Sequence, residues 1–385
     1  MVSQNELERY PRPACQKVNF NQLIREVDTI RGFAMIGPNE TGFIEKGDPE
    51  IGPRDALVKP LAVAPCTSDI HSVYENAIGP HHDLILGHEA SGEIVAVGDE
   101  VKDFKVGDKV ILPAVTPDWS DVNAQAGFAS HSGGMLGDWK FSNNKDGVFA
   151  TRIHVNDADG NLAHLPLGMD PGVATMLSDM IPIGFNADEL AHIEYGDTVA
   201  VIGIGPVGLM ALRGAVLHGA GRIFAVGSRP QTIKVAKEYG ATDIIDYHDG
   251  DIADQIIEKN NGQGVDRVLI ADGDSEHTFD QAVRMTRPGG SIGNVAYLNG
   301  NDTIKINAGN WGVGMANITI DGGVMPGGRL RMEKLASLIT NGRLDPSLLI
   351  THTFDGFDKI PDALELMHNK PADLIKPVVY TSDID

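Results

Sequence analysis

Cysteine is nearly missing: 385 residues hold two, Cys15 and Cys66. At most one bridge could form, so a disulfide framework is excluded and the usage fits a reducing compartment. Positive charge is also scarce. Against 53 Asp and Glu stand 31 Lys and Arg, a formal net charge of −22. Such a surface repels nucleic acid and anionic membranes, and neither is expected as a partner. No apolar run approaches the roughly 18–20 residues that cross a bilayer. The first residues lack the apolar core of a secretory signal, and Glu6 and Glu8 argue against a transit peptide. The expected location is the cytoplasm. Sequence repeats and low-complexity tracts are missing too.

What is present is a chain too long for one ordinary core, so two domains are expected. Hydrophobic residues make up 42%, enough to fill both, and 45 glycines announce many tight turns. Residues 1–30 are polar and read as an N-terminal extension. Residues 31–115 show short apolar runs broken by Gly and Pro, at 56–65, 92–97 and 108–112, the texture of a compact β domain. Residues 116–150 form a long irregular stretch. Its aromatics (Trp119, Phe128, Trp139, Phe141 and Phe149) predict a packed segment, and loops of this length are usually functional or disordered.

From about residue 183 strands and helices alternate. Strands are expected at 198–202, 222–226, 243–247, 266–271 and 291–297, with helices at 207–218, 231–239, 252–259 and 277–285. Alternating βαβ units imply a doubly wound parallel sheet covered by helices on both faces. Helical runs at 329–340 and 360–369 and a strand at 376–380 close the chain. The domain reading is therefore a β-rich domain from 31–182 and 325–385, enclosing an α/β domain at 183–324.

The first of those strands runs into Gly203-Ile204-Gly205-Pro206-Val207-Gly208. A G-x-G-x-x-G that follows a strand and opens a helix is a dinucleotide-binding fingerprint. Gly203 permits the tight turn, Gly205 lets backbone approach a pyrophosphate, and Gly208 permits close helix–strand packing. Pro206 suits the first helical turn, and the helix N-terminus offers free N–H groups to phosphate. About 20 residues on, an NAD site places a carboxylate for the ribose 2′-hydroxyl. Here the second strand ends in Gly227-Ser228-Arg229. Gly227 leaves room, Ser228 can donate, and Arg229 can make a charge-assisted contact to a 2′-phosphate. Tyr247, ending the third strand, can close the same pocket. The expected cofactor is NADP.

The β-rich domain carries a second constellation. Cys66 sits in Pro65-Cys66-Thr67-Ser68-Asp69-Ile70-His71, and Gly87-His88-Glu89 follows. Singly these are weak, since a lone Cys is usually a small buried hydrophobe. Together a thiolate, an imidazole and a carboxylate can hold zinc and leave a position open for substrate.

Cys66-x-Ser68-x-x-His71 and Gly87-His88-Glu89 resemble the zinc medium-chain alcohol dehydrogenases. The similarity runs on through Gly98, Val101, Phe104, Gly107, Asp108 and Val110 to the Gly203–Gly208 fingerprint. The runs 65–71, 132–135, 139–143 and 227–230 are similar to the NADP-linked secondary-alcohol dehydrogenases of anaerobic microbes. The resemblance implies a GroES-like catalytic domain beside a Rossmann cofactor domain. It implies zinc held by Cys66, His88 and Asp179, with Glu89 as a fourth, exchangeable ligand. Many relatives hold a structural zinc with four close cysteines. This chain has no such set, so one catalytic zinc and no structural zinc are expected.

The implied activity moves hydride between a small secondary alcohol or ketone and NADP. Zinc acts as a Lewis acid on the alcohol oxygen. Ser68 is placed to take the hydroxyl proton, and the resemblance implies a relay through the cofactor ribose to His71 and solvent; the alternative for His71 is a solvated turn residue. Trp139 and Ala114 are candidate pocket walls, with a core role equally open to Trp139. The resemblance also implies a homotetramer. Two other readings compete: a zinc polyol or threonine dehydrogenase, and a non-catalytic NADPH-binding protein of the same fold. The joint presence of Cys66, Ser68, His88, Glu89 and Asp179 speaks against the latter.

Overall fold

The alternation of apolar strand and amphipathic helix after residue 198 builds a six-stranded parallel sheet. Its spatial order is Asp243–Ile245, Arg222–Val226, Thr198–Ile202, Val265–Ile270, Thr286–Asn294 and Thr319–Gly322. The order reverses between Thr198–Ile202 and Val265–Ile270. A crevice opens at the carboxyl ends there, where dinucleotides bind in this class of sheet. Val199, Ala200 and Val201 are all fully buried, because helices cover both faces. The computed structural model describes residues 29–298 and 303–384. Cys15 and most of the expected extension lie outside those residues.

The β-rich domain is a mixed sheet ordered Ile350–Asp355, Lys376–Tyr380, Ala56–Val63, Ala90–Val97, Lys109–Leu112 and Ala163–His164, with Ile153–Val155 also on Ala56–Val63. A smaller sheet joins Glu40–Gly47, Thr29–Gly37 and Leu84–Ile85. Thr29 and Ile30, assigned above to the extension, thus belong to a strand. The strand Lys376–Tyr380 returns from the far end of the chain to pair antiparallel with Ala56–Val63. That return places its first residue beside the loop that follows Val63.

The segment 116–150 is packed only in part. Phe141 and Phe149 are fully buried, whereas Trp119 and Phe128 are exposed. Asp138, itself buried, accepts from the Ser132 hydroxyl, and Lys140 Nζ donates to the Thr116 carbonyl at 2.8 Å. These bonds replace regular structure in satisfying the backbone. Among the described residues no helix is long and apolar enough to cross a membrane.

Helix Met180–Leu190 packs on helix Pro206–His218 and joins the two domains. It buries Asp188, whose two oxygens have no hydrogen-bond partner. A Cβ on Gly214 of the facing helix would come within 1.8 Å of Asp188 Oδ2, so the helices meet around a small residue. Burial, aided by Glu189 and opposed by Arg331, holds the Asp188 carboxyl well above its usual range. The folded state then keeps the proton that the unfolded state loses above about pH 4. Stability from this group is present below that pH and falls as pH rises toward the folded value. Asp188→Asn is expected to remove that loss. Its melting temperature should exceed the wild type's at pH 8 and approach it near pH 5, a differential of up to about 1.4 kcal/mol per pH unit. Equal pH profiles for the two proteins would refute the assignment.

Candidate metal centre and dinucleotide cleft

Cys66 caps helix Thr67–Tyr74, and the helix starts on its own sequence. Asp69, in the first turn, accepts from the Cys66 backbone N–H at 2.8 Å. Ile70 and Val73 turn into the core. Ser68 and His71, three apart on the other face, line a common cleft. His71 is therefore a helical residue rather than a turn residue. Its Nδ1 lies 2.6 Å from Glu75 Oε2, one turn on.

His88 and Glu89 enter from a tight turn. Gly87 has φ of +86°, and a Cβ there would lie 2.3 Å from the Phe149 ring. The Gly87 N–H donates to Asp69 Oδ1 at 3.1 Å, which ties this turn to the Cys66 helix. Asp179 comes from the start of helix Met180–Leu190. It occupies the N-cap position but makes no capping bond. Its Oδ2 instead lies 3.8 Å from His88 Nε2.

One donor atom each from Cys66, His88, Glu89 and Asp179 lies within 4.8 Å of all the others. His88 Nε2 is 3.8 Å from Glu89 Oε1 as well. Bonds of 2.0–2.3 Å to a tetrahedral ion imply donor spacings of about 3.3–3.8 Å. Sulfur, nitrogen and carboxylate oxygen in a buried pocket suit zinc. Glu89 Oε2 is buried without a hydrogen-bond partner, an orphan that a cation would satisfy. The residues present fit the metal.

Electrostatics agree. Burial pushes the Cys66 thiol up, but the Lys376 ammonium and His88 outweigh it and bring it down to about 7. A coordinating cysteine must be a thiolate. Burial disfavours a charged His88, yet Asp179, Cys66 and Asp69 raise it well above its usual value; these negative neighbours are what a dication would take up in place of the proton. Asp69 Oδ1 is 3.7 Å from His88 Nδ1, the outer contact that orients a ligating imidazole.

Two residues at this centre escaped the sequence reading. Asp69 stood inside the quoted motif without a role. Lys376, fully buried, places Nζ 2.5 Å from Glu89 Oε1. No spacing rule links a lysine to a carboxylate 287 positions away.

The centre opens on two adjoining cavities. One, about 300 Å³, is lined by Cys66, Ser68, His71, Trp139 and Asp179 and also by Gly205, Pro206 and Val207 of the cofactor domain. The other, about 370 Å³, is lined by Ser68, His71, His88, Trp139 and Tyr297. Trp139 stands edge-on to His88, ring centroids 5.9 Å apart, and so forms pocket wall. Ala114 does not line either cavity, which corrects the expectation made for it. It is buried with Val115 and Met325, and Ile183, packed against that cluster, reaches the cleft in its place. Ser68 Oγ lies 3.3 Å from His88 Nε2.

On the cofactor side, Gly203 has φ of +83°, and a Cβ on it would collide with Asp272. A Cβ on Gly208 would lie 1.7 Å from the Gly203 carbonyl, whereas one on Gly205 would meet nothing within 4 Å. The middle glycine therefore faces open space, as a phosphate approach requires. Pro206 opens helix Pro206–His218. A cavity of about 420 Å³ brings together Gly203, Gly205, Gly227, Ser228, Arg229 and Tyr247. Ser228 Oγ donates to Tyr247 OH at 3.0 Å. Arg229 Nη1 donates to the Leu374 carbonyl at 2.6 Å, across the domain boundary. Gly227 has a second reason to be glycine: a Cβ there would lie 2.3 Å from Ile204 Cγ1.

Residues 52–166 match the alcohol dehydrogenase GroES-like domain, and residues 206–341 match the zinc-binding dehydrogenase domain. An NADP-dependent isopropanol dehydrogenase of Entamoeba histolytica is 62% identical, over 91% of this chain and 96% of its own. Another so named, from Thermoanaerobacter brockii, is 57% identical over 91% and 99%. Among solved structures, a zinc-dependent alcohol dehydrogenase of Streptococcus pneumonia superposes with a TM-score of 0.83 at 25% identity, covering 92% of this chain and 99% of that one.

Proposed function

The chain belongs to the zinc-binding alcohol dehydrogenase family, and on that premise we propose that it interconverts small secondary alcohols and ketones with NADP as hydride carrier. One observation carries the reading. The buried Cys66, His88, Glu89 and Asp179 cluster opens on a cavity that also reaches Gly205 and Pro206 of the fingerprint. Cys66, His88 and Asp179 hold one zinc per chain, with Glu89 intermittently beside them. When bound, zinc supplies a Lewis acid to the alcohol oxygen and the nicotinamide supplies or accepts the hydride.

The protein's own groups do the rest. Ser68 Oγ accepts the substrate hydroxyl proton as it gives up its own. His71, one turn on and held at Nδ1 by Glu75, takes the released proton at Nε2 and gives it to solvent. Trp139 limits the pocket beside His88, which favours small branched substrates over long chains. Gly205 and the N-terminus of helix Pro206–His218 receive the pyrophosphate, and Ser228, Arg229 and Tyr247 receive the 2′-phosphate. The scarcity of cysteine fits a cytoplasmic location, and the family resemblance implies a homotetramer.

Two measurements test this. In an alcohol panel, kcat/KM for 2-propanol or 2-butanol should exceed that for 1-hexanol; a clear advantage for the primary alcohol counts against the reading. Arg229→Ala should cut kcat/KM for NADP about 10- to 150-fold, the value of a lost charge-assisted bond. NAD should lose less, because it forfeits only the neutral contact to Leu374. An equal loss with both cofactors defeats the assignment of Arg229. Gly227→Asp is a poorer probe than its chemistry suggests, since its Cβ would displace Ile204.

A further inference from the structure

Lysine is among the residues least often fully buried. Lys376 nevertheless sits at 0% exposure against Glu89, also at 0%. An apolar pair of the same volume would avoid the desolvation of two charges, so stability does not explain the arrangement. Charge at the metal centre does. The Cys66 thiolate and the Asp179 and Glu89 carboxylates bring three negative charges to a site for a dication. Lys376 supplies the positive charge that brings the sum over these metal-facing groups to zero. Asp69 stands outside that set, its two oxygens accepting from the backbone N–H groups of Cys66 and Gly87.

The Glu89 carboxylate stands between Lys376 and the metal donors, its Oε1 also lying 3.8 Å from His88 Nε2. Oε1 takes Lys376 Nζ at 2.5 Å, while Oε2 has no hydrogen-bond partner. We propose that Lys376 is a positioning residue that holds Glu89 as an intermittent ligand and so keeps the fourth metal position available to substrate. The proposal rests on the metal reading above. Without the ammonium, Glu89 has one strong partner left, the metal, and should occupy that position permanently. Removing a nearby cation also removes repulsion toward the metal.

The consequence separates this role from a merely structural one. Lys376→Met should release zinc to a chelator about tenfold more slowly than wild type, or slower still, while kcat falls by about tenfold or more. Lys376→Arg, which keeps the charge, should recover zinc release and part of kcat. Faster zinc loss from Lys376→Met, or an unchanged kcat, overturns the proposal. Where Lys376→Met alone yields no folded protein, Glu89→Gln/Lys376→Met replaces it, because no lone buried charge remains. There the proposal expects zinc release no faster than that of Glu89→Gln alone, since the repelling ammonium is gone, and a faster release overturns it. Zinc-free but active wild type would overturn the metal reading itself, and this proposal with it. Zinc-replete wild type with the wrong response in the variants overturns the proposal alone.

Discussion

Cys66→Ala is expected to leave a folded protein with no bound zinc and no measurable alcohol oxidation. The thiolate is the one sulfur among the four donors. Its loss leaves His88, Glu89 and Asp179, two of whose carboxylate oxygens already have other partners or neighbours: Glu89 Oε1 is held by Lys376, and Asp179 Oδ2 stands 3.8 Å from His88. Removing an outer-shell partner of a metal site typically costs about 10–100-fold, and a direct ligand should cost well beyond that. Losing the sulfur removes one half of the capping box, but the Cys66 N–H still donates to the Asp69 side chain and the Asp69 N–H to the Cys66 carbonyl at 3.2 Å. The helix should therefore survive the substitution. Metal per chain and turnover measured on one preparation check the result, with circular dichroism as the control for folding. A variant that retained stoichiometric zinc would remove Cys66 from the ligand set.

Ser68→Ala should lower kcat by about 10²–10⁴-fold with zinc content unchanged, the usual range for a positioned proton acceptor. Ser68 Oγ lies 3.3 Å from His88 Nε2 and faces both cavities of the cleft. It is not one of the four clustered donors. The local helix does not depend on the hydroxyl, since Ser72 bonds to the Ser68 carbonyl and not to its side chain. The loss should fall on kcat with KM for the alcohol little changed, the pattern of an interaction made in the transition state. An unaltered kcat would strip Ser68 of the proton, and a loss of zinc in parallel would make it a support for His88 instead.

Most of the cofactor half is legible in the sequence. The strand Thr198–Ile202 and the helix Ile252–Lys259 fall at the residues where the apolar pattern places them. The fingerprint helix begins at Pro206, one residue earlier than its periodicity indicates, because proline itself fits the first turn. The last strand of the alternation was read less well. It spans Thr286–Asn294 rather than 291–297, since Arg287, Pro288 and Gly289 lack the apolar pattern yet still lie on the strand. Its pairing with Val265–Ile270 carries a register irregularity that no local pattern announces.

What the sequence by itself determined is whatever the chain expresses within about one helix or strand: the period of apolar residues, the glycines of the turn at 203–208, the missing carboxylate at 227, and the run that holds Cys66, Ser68 and His71. Short-range sterics and hydrogen bonding act over those distances, so residue type and spacing carry the information. Tertiary structure alone decided the rest. It put Ile183 rather than Ala114 on the cleft, tied Arg229 to the Leu374 carbonyl, and set Lys376 against Glu89. Each of those contacts joins segments far apart in the chain. Such contacts form because two cores close around them, and the packing that closes a core is a sum over many residues that no single spacing records.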